Sequence, residues 1–214
     1  MSEYEPKPFE VETVVDAPRD VVWRSFTSPE LIHQWFGWDY DGLEGEIRYI
    51  FVERSKPEPP DRIVGENGHT IELLADGERT IVRVTMPGDL SDAKWDDIYG
   101  GEEEGWRTFF EQLRFYLERR SGSGPRRTIY LAGTGSGQAA AHALLTGEVW
   151  CESRYQRMTV DADGLLLGVA AQQPMDAKGP VSLTVTTYGL DDAAFAEQEK
   201  RWTARWSEVS EPES

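Results

Sequence analysis

Rings, rather than acids or metal ligands, are the residues of this chain best placed to do chemistry. Trp35, Phe36, Trp38 and Tyr40 stand in one short run, and Tyr49, Phe51, Trp106, Phe109 and Phe110 add to them. Val82 and Val84 of an alternating stretch and Leu113 of a helical one complete the candidate wall. Small-molecule pockets are mostly apolar with a few placed polar groups, and rings supply large contact area at low entropic cost. The chemistry this set suits is the binding of a small hydrophobic molecule. A fully packed core has the same periodicity, so both readings stand at this point. Trp38 and Tyr40 lean toward the cavity, because they fall in a loop rather than in a periodic element.

The polar candidates are sparser. His33, His69 and His142 lie far apart, and none has a ligand-type partner three or four residues away, so no metal site is expected. His33, with Asp39 and Tyr40 near it, could move protons at a cavity mouth in a cyclase- or hydrolase-type enzyme. A helix-surface histidine and turn-forming acids give the same pattern. Cys151 has no base beside it and reads as structural. The stretch TIYLAGTGSGQAAAHA, Thr128 to Ala143, imitates a dinucleotide-binding turn with Gly133, Gly135 and Gly137. The third glycine of that fingerprint would fall at 138, which is Gln138, and no second βαβ unit follows. No cofactor is implied.

The elements that must position these residues follow from periodicity. Phe9 to Val15 alternates as a half-buried strand, and Asp16-Ala17-Pro18 stops it. Val21, Val22, Trp23 and Phe26 make one helix face. Ser28-Pro29 opens a second short helix, with Ser28 as its N-cap. Gly45 to Glu53, rich in β-branched and aromatic residues, reads as a strand. Arg62 to Val64, Thr70 to Leu74 and Thr80 to Met86 follow, and Asp76-Gly77 signals a type I′ hairpin. Trp106, Phe109, Phe110, Leu113 and Leu117 form the stripe of the strongest helix. Arg119 to Arg127 is linker-like. Beyond it, Thr128 to Ala132 reads as a strand and Gln138 to Leu145 as a helix. Glu148 to Val160, Leu165 to Gln172 and Val181 to Tyr188 are strand candidates, the first long enough for two strands or a bend. A closing helix runs from Asp191 to about Val209.

Composition limits the partners. A formal charge of -17 repels nucleic acid phosphates and anionic headgroups, so neither is expected as a partner. Acid clusters such as Asp96-Asp97 and Glu102-Glu103-Glu104 read as solvated faces. No apolar run is long enough to span a membrane, and Met1 to Glu10 does not read as a secretory signal. With one cysteine, no internal disulfide can form, and the cytoplasm is the default compartment.

Two phrases, DAPRDVVWRSFTSPELIHQWFGWDYD (Asp16 to Asp41) and EEEGWRTFFEQLRFYLERR (Glu102 to Arg120), resemble the START/SRPBCC (Bet v 1-like) superfamily. Within it they are most similar to the branch of activator of heat-shock protein 90 ATPase homologue-like proteins. The resemblance covers about residues 8–120 and implies an α+β helix-grip domain, an antiparallel sheet around a long C-terminal helix with an apolar cavity between. It also implies a range of functions, from hydrophobic-ligand binding to aromatase/cyclase and co-chaperone activity, the last with a protein partner. The organisation expected is a START-like domain over 1–120, a linker at 121–127, and over 128–210 either a shortened second version of the same plan or an unrelated α+β domain, packed on the first.

Overall fold

The computed structural model describes residues 7–66, 68–89 and 100–212; Asp96-Asp97 lies outside them. In Phe9–Val15 (β1) every second side chain is buried, as the alternation requires. Arg19–Thr27 (α1) and Pro29–Ile32 (α2) follow. Ser28 holds the N-cap position, but its hydroxyl donates to the Glu30 carboxylate at 2.8 Å rather than accepting from a backbone amide.

The strand expected over Gly45 to Glu53 is a helix. Leu43–Arg48 (α3) runs into a π-helical turn, Tyr49–Glu53. The deciding residues are Leu43, Ile47 and Phe51, all buried. Their four-residue spacing is a helix face, and it overrides the β-propensity of the neighbouring Tyr49, Ile50 and Val52.

The first sheet then adds Ser55–Glu58 (β2), Arg62–Gly65 (β3), Thr70–Asp76 (β4) and Arg79–Met86 (β5), in the order β1-β5-β4-β3-β2 and antiparallel throughout. β2 gave no sequence signal because its Pro57 argues against a strand; as an edge strand it tolerates one. The β4–β5 loop closes on the pair Asp76–Arg79. Only Gly77 takes a positive φ, 65°. The turn is therefore not type I′, which needs positive φ at both central residues; the side chain of Glu78 keeps it out of that region. In register on the concave face stand Val11, Val84 and Ile71, then Thr13, Val82 and Leu73, all buried. Gly101–Phe115 (α4) packs against β1 and ends in a second π-helical turn, Tyr116–Arg120.

The chain forms two compact units. The second comprises Arg120–Ser214 and a segment from the first half of the sequence, Gly37–Tyr40. Its elements are Arg126–Ser136 (β6), Gly137–Leu144 (α5), Glu148–Glu152 (β7), Gln156–Val160 (β8), Leu166–Ala171 (β9), Lys178–Tyr188 (β10) and Asp192–Ser207 (α6). The long Glu148 to Val160 segment is thus a hairpin, with a bulge between Val149 and Cys151. The strand order, β6-β10-β9-β8-β7, repeats that of the first unit: first strand beside last, the rest following as a meander. The fold class is α+β, with two helix-grip units, each an antiparallel five-stranded sheet with a long helix at its C-terminal end. The core of the second unit joins Ile129, Leu167, Val169, Leu183 and Val185 of the sheet to Phe195, Trp202 and Trp206 of α6.

The glycine-rich run is strand, not a phosphate cradle. β6 passes through Gly133 and Gly135 in antiparallel register with β10. A Cβ at Gly133 would lie 2.8 Å from the carbonyl of Glu211, and Thr134 exchanges both backbone hydrogen bonds with Glu211, at 2.8 and 2.9 Å. The bare backbone there admits the C-terminal segment.

Candidate functional site

α1, the turn that follows α2, α3 with its π-helical turn, and α4 supply the rings of the first unit. The helix face of Leu43, Ile47 and Phe51 points Phe51 inward, and the stripe of α4 delivers Trp106, Phe110 and Leu113 to the same interior. The rings form one continuous network. Phe36 is 4.5 Å from Phe109 and 5.0 Å from Phe51, centroid to centroid. Trp35 stands 4.9 Å from Phe26 and 5.7 Å from Phe51, and Trp106 stands 5.6 Å from Phe110. Most of these pairs meet edge-on or tilted, the arrangement ring quadrupoles favour, worth about 0.5–1.5 kcal/mol each beyond area burial. Trp35 is fully buried and donates its indole N–H to the Ser25 carbonyl at 2.8 Å. Phe109 alone of this set is only partly buried. The network therefore reaches the surface beside Phe36 and Trp106.

Of the residues singled out in the sequence, Trp35, Phe36, Phe51, Trp106, Phe109 and Phe110 are brought together, with Val82, Val84 and Leu113 buried in the same unit. Three are not. Tyr49 is 49% exposed, with the Arg54 guanidinium over its ring. Tyr40 is 47% exposed, and Trp38 stacks on Tyr130 of β6 at 4.2 Å. Both belong to the second unit through the Gly37–Tyr40 segment. Asp39 is engaged there too: Thr128 N–H donates to Oδ1 at 2.9 Å, and Arg127 pairs with Oδ2 at 3.2 Å. The buried Arg126 guanidinium donates to the Gly37 carbonyl at 2.5 Å. Burial holds that guanidinium below its usual pKa, against the opposing pull of Tyr188 and Asp39. His33 is the half-buried C-cap of α2. Among the described residues no three His, Cys, Asp or Glu side chains gather as metal ligands, and no helix is long and apolar enough to cross a membrane.

His69, weighed in the sequence only as a metal ligand, stands beside the rings. Its ring lies 5.7 Å from that of Trp106. It covers Gly65 so closely that a Cβ there would come within 2.2–2.7 Å of three imidazole atoms. The Gly65 N–H donates to the His69 carbonyl at 2.8 Å, fixing the approach. Nδ1 is shielded from solvent and no described residue bonds it. Desolvation pushes the imidazole pKa down, so the ring is neutral at pH 7. The available signal was Gly65 itself, a glycine at the end of a strand four residues before a histidine. A separate surface cleft of about 390 Å³, lined by Arg54, Lys56, Val64 and Glu66 among others, carries an Arg54–Glu66 ion pair and is too charged for an apolar guest.

Neither a family model nor a curated protein matches the chain. Solved structures do, at low identity. DynU16, a protein of the dynemicin biosynthetic locus, is 17% identical over 95% of this chain and 96% of its own, with a TM-score of 0.38. The di-domain ARO/CYC protein BexL of the BE-7585A biosynthetic pathway is 13% identical over 92% of both chains, with a TM-score of 0.37. SSP2350 from Staphylococcus saprophyticus is 22% identical over 52% of this chain and 92% of its own, with a TM-score of 0.36. The helix-grip description of this chain rests on its own strand order.

Proposed function

We propose that the first unit binds a small, uncharged hydrophobic molecule against the ring network between its sheet and α4. One observation carries the reading: a continuous set of contacting rings, from buried Trp35 and Phe51 to partly exposed Phe109, reaches the surface with the shielded Nδ1 of His69 at its margin. Such a wall offers area and ring quadrupoles rather than charge. The net charge of -17 turns anionic guests away. Membership of the branch of activators of the heat-shock protein 90 ATPase belongs to the same proposal, supported by the motifs around Trp23, Gln34-Trp35-Phe36 and Gly105-Trp106. The test is titration with the neutral dye N-phenyl-1-naphthylamine, with native mass spectrometry to count bound molecules. Saturable binding of one dye per chain, reduced at least tenfold by Phe109→Arg, is the expected result. Absence of saturable binding, or binding indifferent to Phe109→Arg, would refute the proposal.

A further inference from the structure

A shielded nitrogen without a protein partner is costly to keep and persists where something else pairs with it. Among the described residues, His69 Nδ1 is such an atom, beside Trp106, at the end of the ring network. Its ring is held by contact with Gly65 and by the Gly65–His69 backbone bond, so the position of Nδ1 is set by the fold. A neutral imidazole can present Nδ1 as acceptor or, in its other tautomer, as donor. Phe36, Phe51, Phe109 and Phe110 have no hydrogen-bonding side-chain atom, and Trp106 offers a donor only, its indole N–H, so His69 supplies the wall's acceptor. Trp35 has already committed its N–H to Ser25.

We infer that His69 Nδ1 is the specificity contact of the apolar site, pairing with a hydroxyl or carbonyl oxygen on a neutral aromatic guest. This rests on the binding reading above and adds the chemical class of the guest. A ring carrying oxygen is preferred over the bare hydrocarbon by the factor that one net hydrogen bond supplies, about tenfold. A carboxylate-bearing ring is not favoured, since it would bring a buried anion to a neutral imidazole.

The experiment is equilibrium dialysis of the full chain with naphthalene and with 2-naphthol, repeated on His69→Phe, which keeps a ring over Gly65, and on His69→Gln, which keeps a hydrogen-bonding group. The expected result is that His69→Phe lowers 2-naphthol affinity about tenfold, leaves naphthalene within twofold, and that His69→Gln restores part of the loss. Naphthalene binding by each variant shows that its site is folded. Equal losses for both probes, or no loss for either, would overturn the role of His69 while leaving the apolar site standing. Failure of the wild-type chain to bind either probe would overturn the apolar site and this inference together.

Discussion

A buried contact between Thr13 and Glu111 ties the sheet of the first helix-grip unit to its long helix across 98 residues of sequence. The Thr13 hydroxyl donates to Glu111 Oε1 at 2.6 Å, joining β1 to α4, and the two residues are only 6% and 7% exposed. The other carboxylate oxygen lies 3.1 Å from Arg114. In Thr13→Val the shape is kept and the donor is lost. A hydrogen bond to a charged group contributes about 1.5–3 kcal/mol. The methyl that replaces the hydroxyl returns about 0.8 kcal/mol by burial. The expected net destabilisation is therefore about 1–2 kcal/mol. At a urea m-value of about 1.5–2 kcal/mol/M it lowers the midpoint of the first unit's transition by about 0.5–1 M. The measurement is urea unfolding followed by tryptophan fluorescence and by circular dichroism, with the two units fitted as separate transitions if the probes diverge. A double-mutant cycle with Glu111→Gln isolates the pair and should return a coupling of at least about 1 kcal/mol. A Thr13→Val midpoint equal to or above wild type, with no coupling in the cycle, would refute the assignment of this bond as the clamp between sheet and helix.

Two further outcomes concern the second unit. Arg126→Ala removes the guanidinium that donates to the Gly37 carbonyl and to the Thr128 hydroxyl. It should cost about 2–4 kcal/mol and open the chain to proteolysis near residues 37–40; resistance equal to wild type would contradict the anchoring role. Asp191→Ala removes the carboxylate that accepts from the Ala194 N–H at 2.8 Å at the start of α6. It should lower stability by about 1 kcal/mol, read as a drop in melting temperature, whereas Asp191→Asn should stay within a few tenths of wild type.

Strands with one wet face were legible because alternation is a direct imprint of burial. Spacing puts Phe9, Val11 and Val15 on one face of their strand and Val82, Val84 and Met86 on one face of theirs, and all six are buried. The closing helix was legible through Asp191, whose side chain does cap it. The segment from Gly45 to Glu53 was not, because propensity and periodicity disagree there. Ile47, Tyr49, Ile50, Phe51 and Val52 favour a strand, whereas Leu43, Ile47 and Phe51 alone mark the helix face, and the first of these lies outside the stretch that looked strand-like. Strand β2, with Pro57 in a run of four polar or proline residues, could be seen only once its neighbour β3 was in place.

The ring set shows a deeper limit. Its members were picked by type, and type alone could not divide them between two units. Trp38 follows Phe36 by two residues, yet Phe36 packs on Phe51 and Phe109 while Trp38 stacks on Tyr130. What separates them is the anchoring of Gly37 and Asp39 by Arg126, Arg127 and Thr128, residues about 90 positions later that sequence reading assigned to a linker and a strand start. A loop between two rings can send them to different cores when its own backbone and acids are captured by a distant strand. His69 was missed for the converse reason. What marks it out is an Nδ1 that no described residue bonds and its closeness to Gly65 and Trp106, none of which leaves a periodic trace. Residue type therefore gathered the rings of the first unit's interior, and only packing could show that His69 stands beside them.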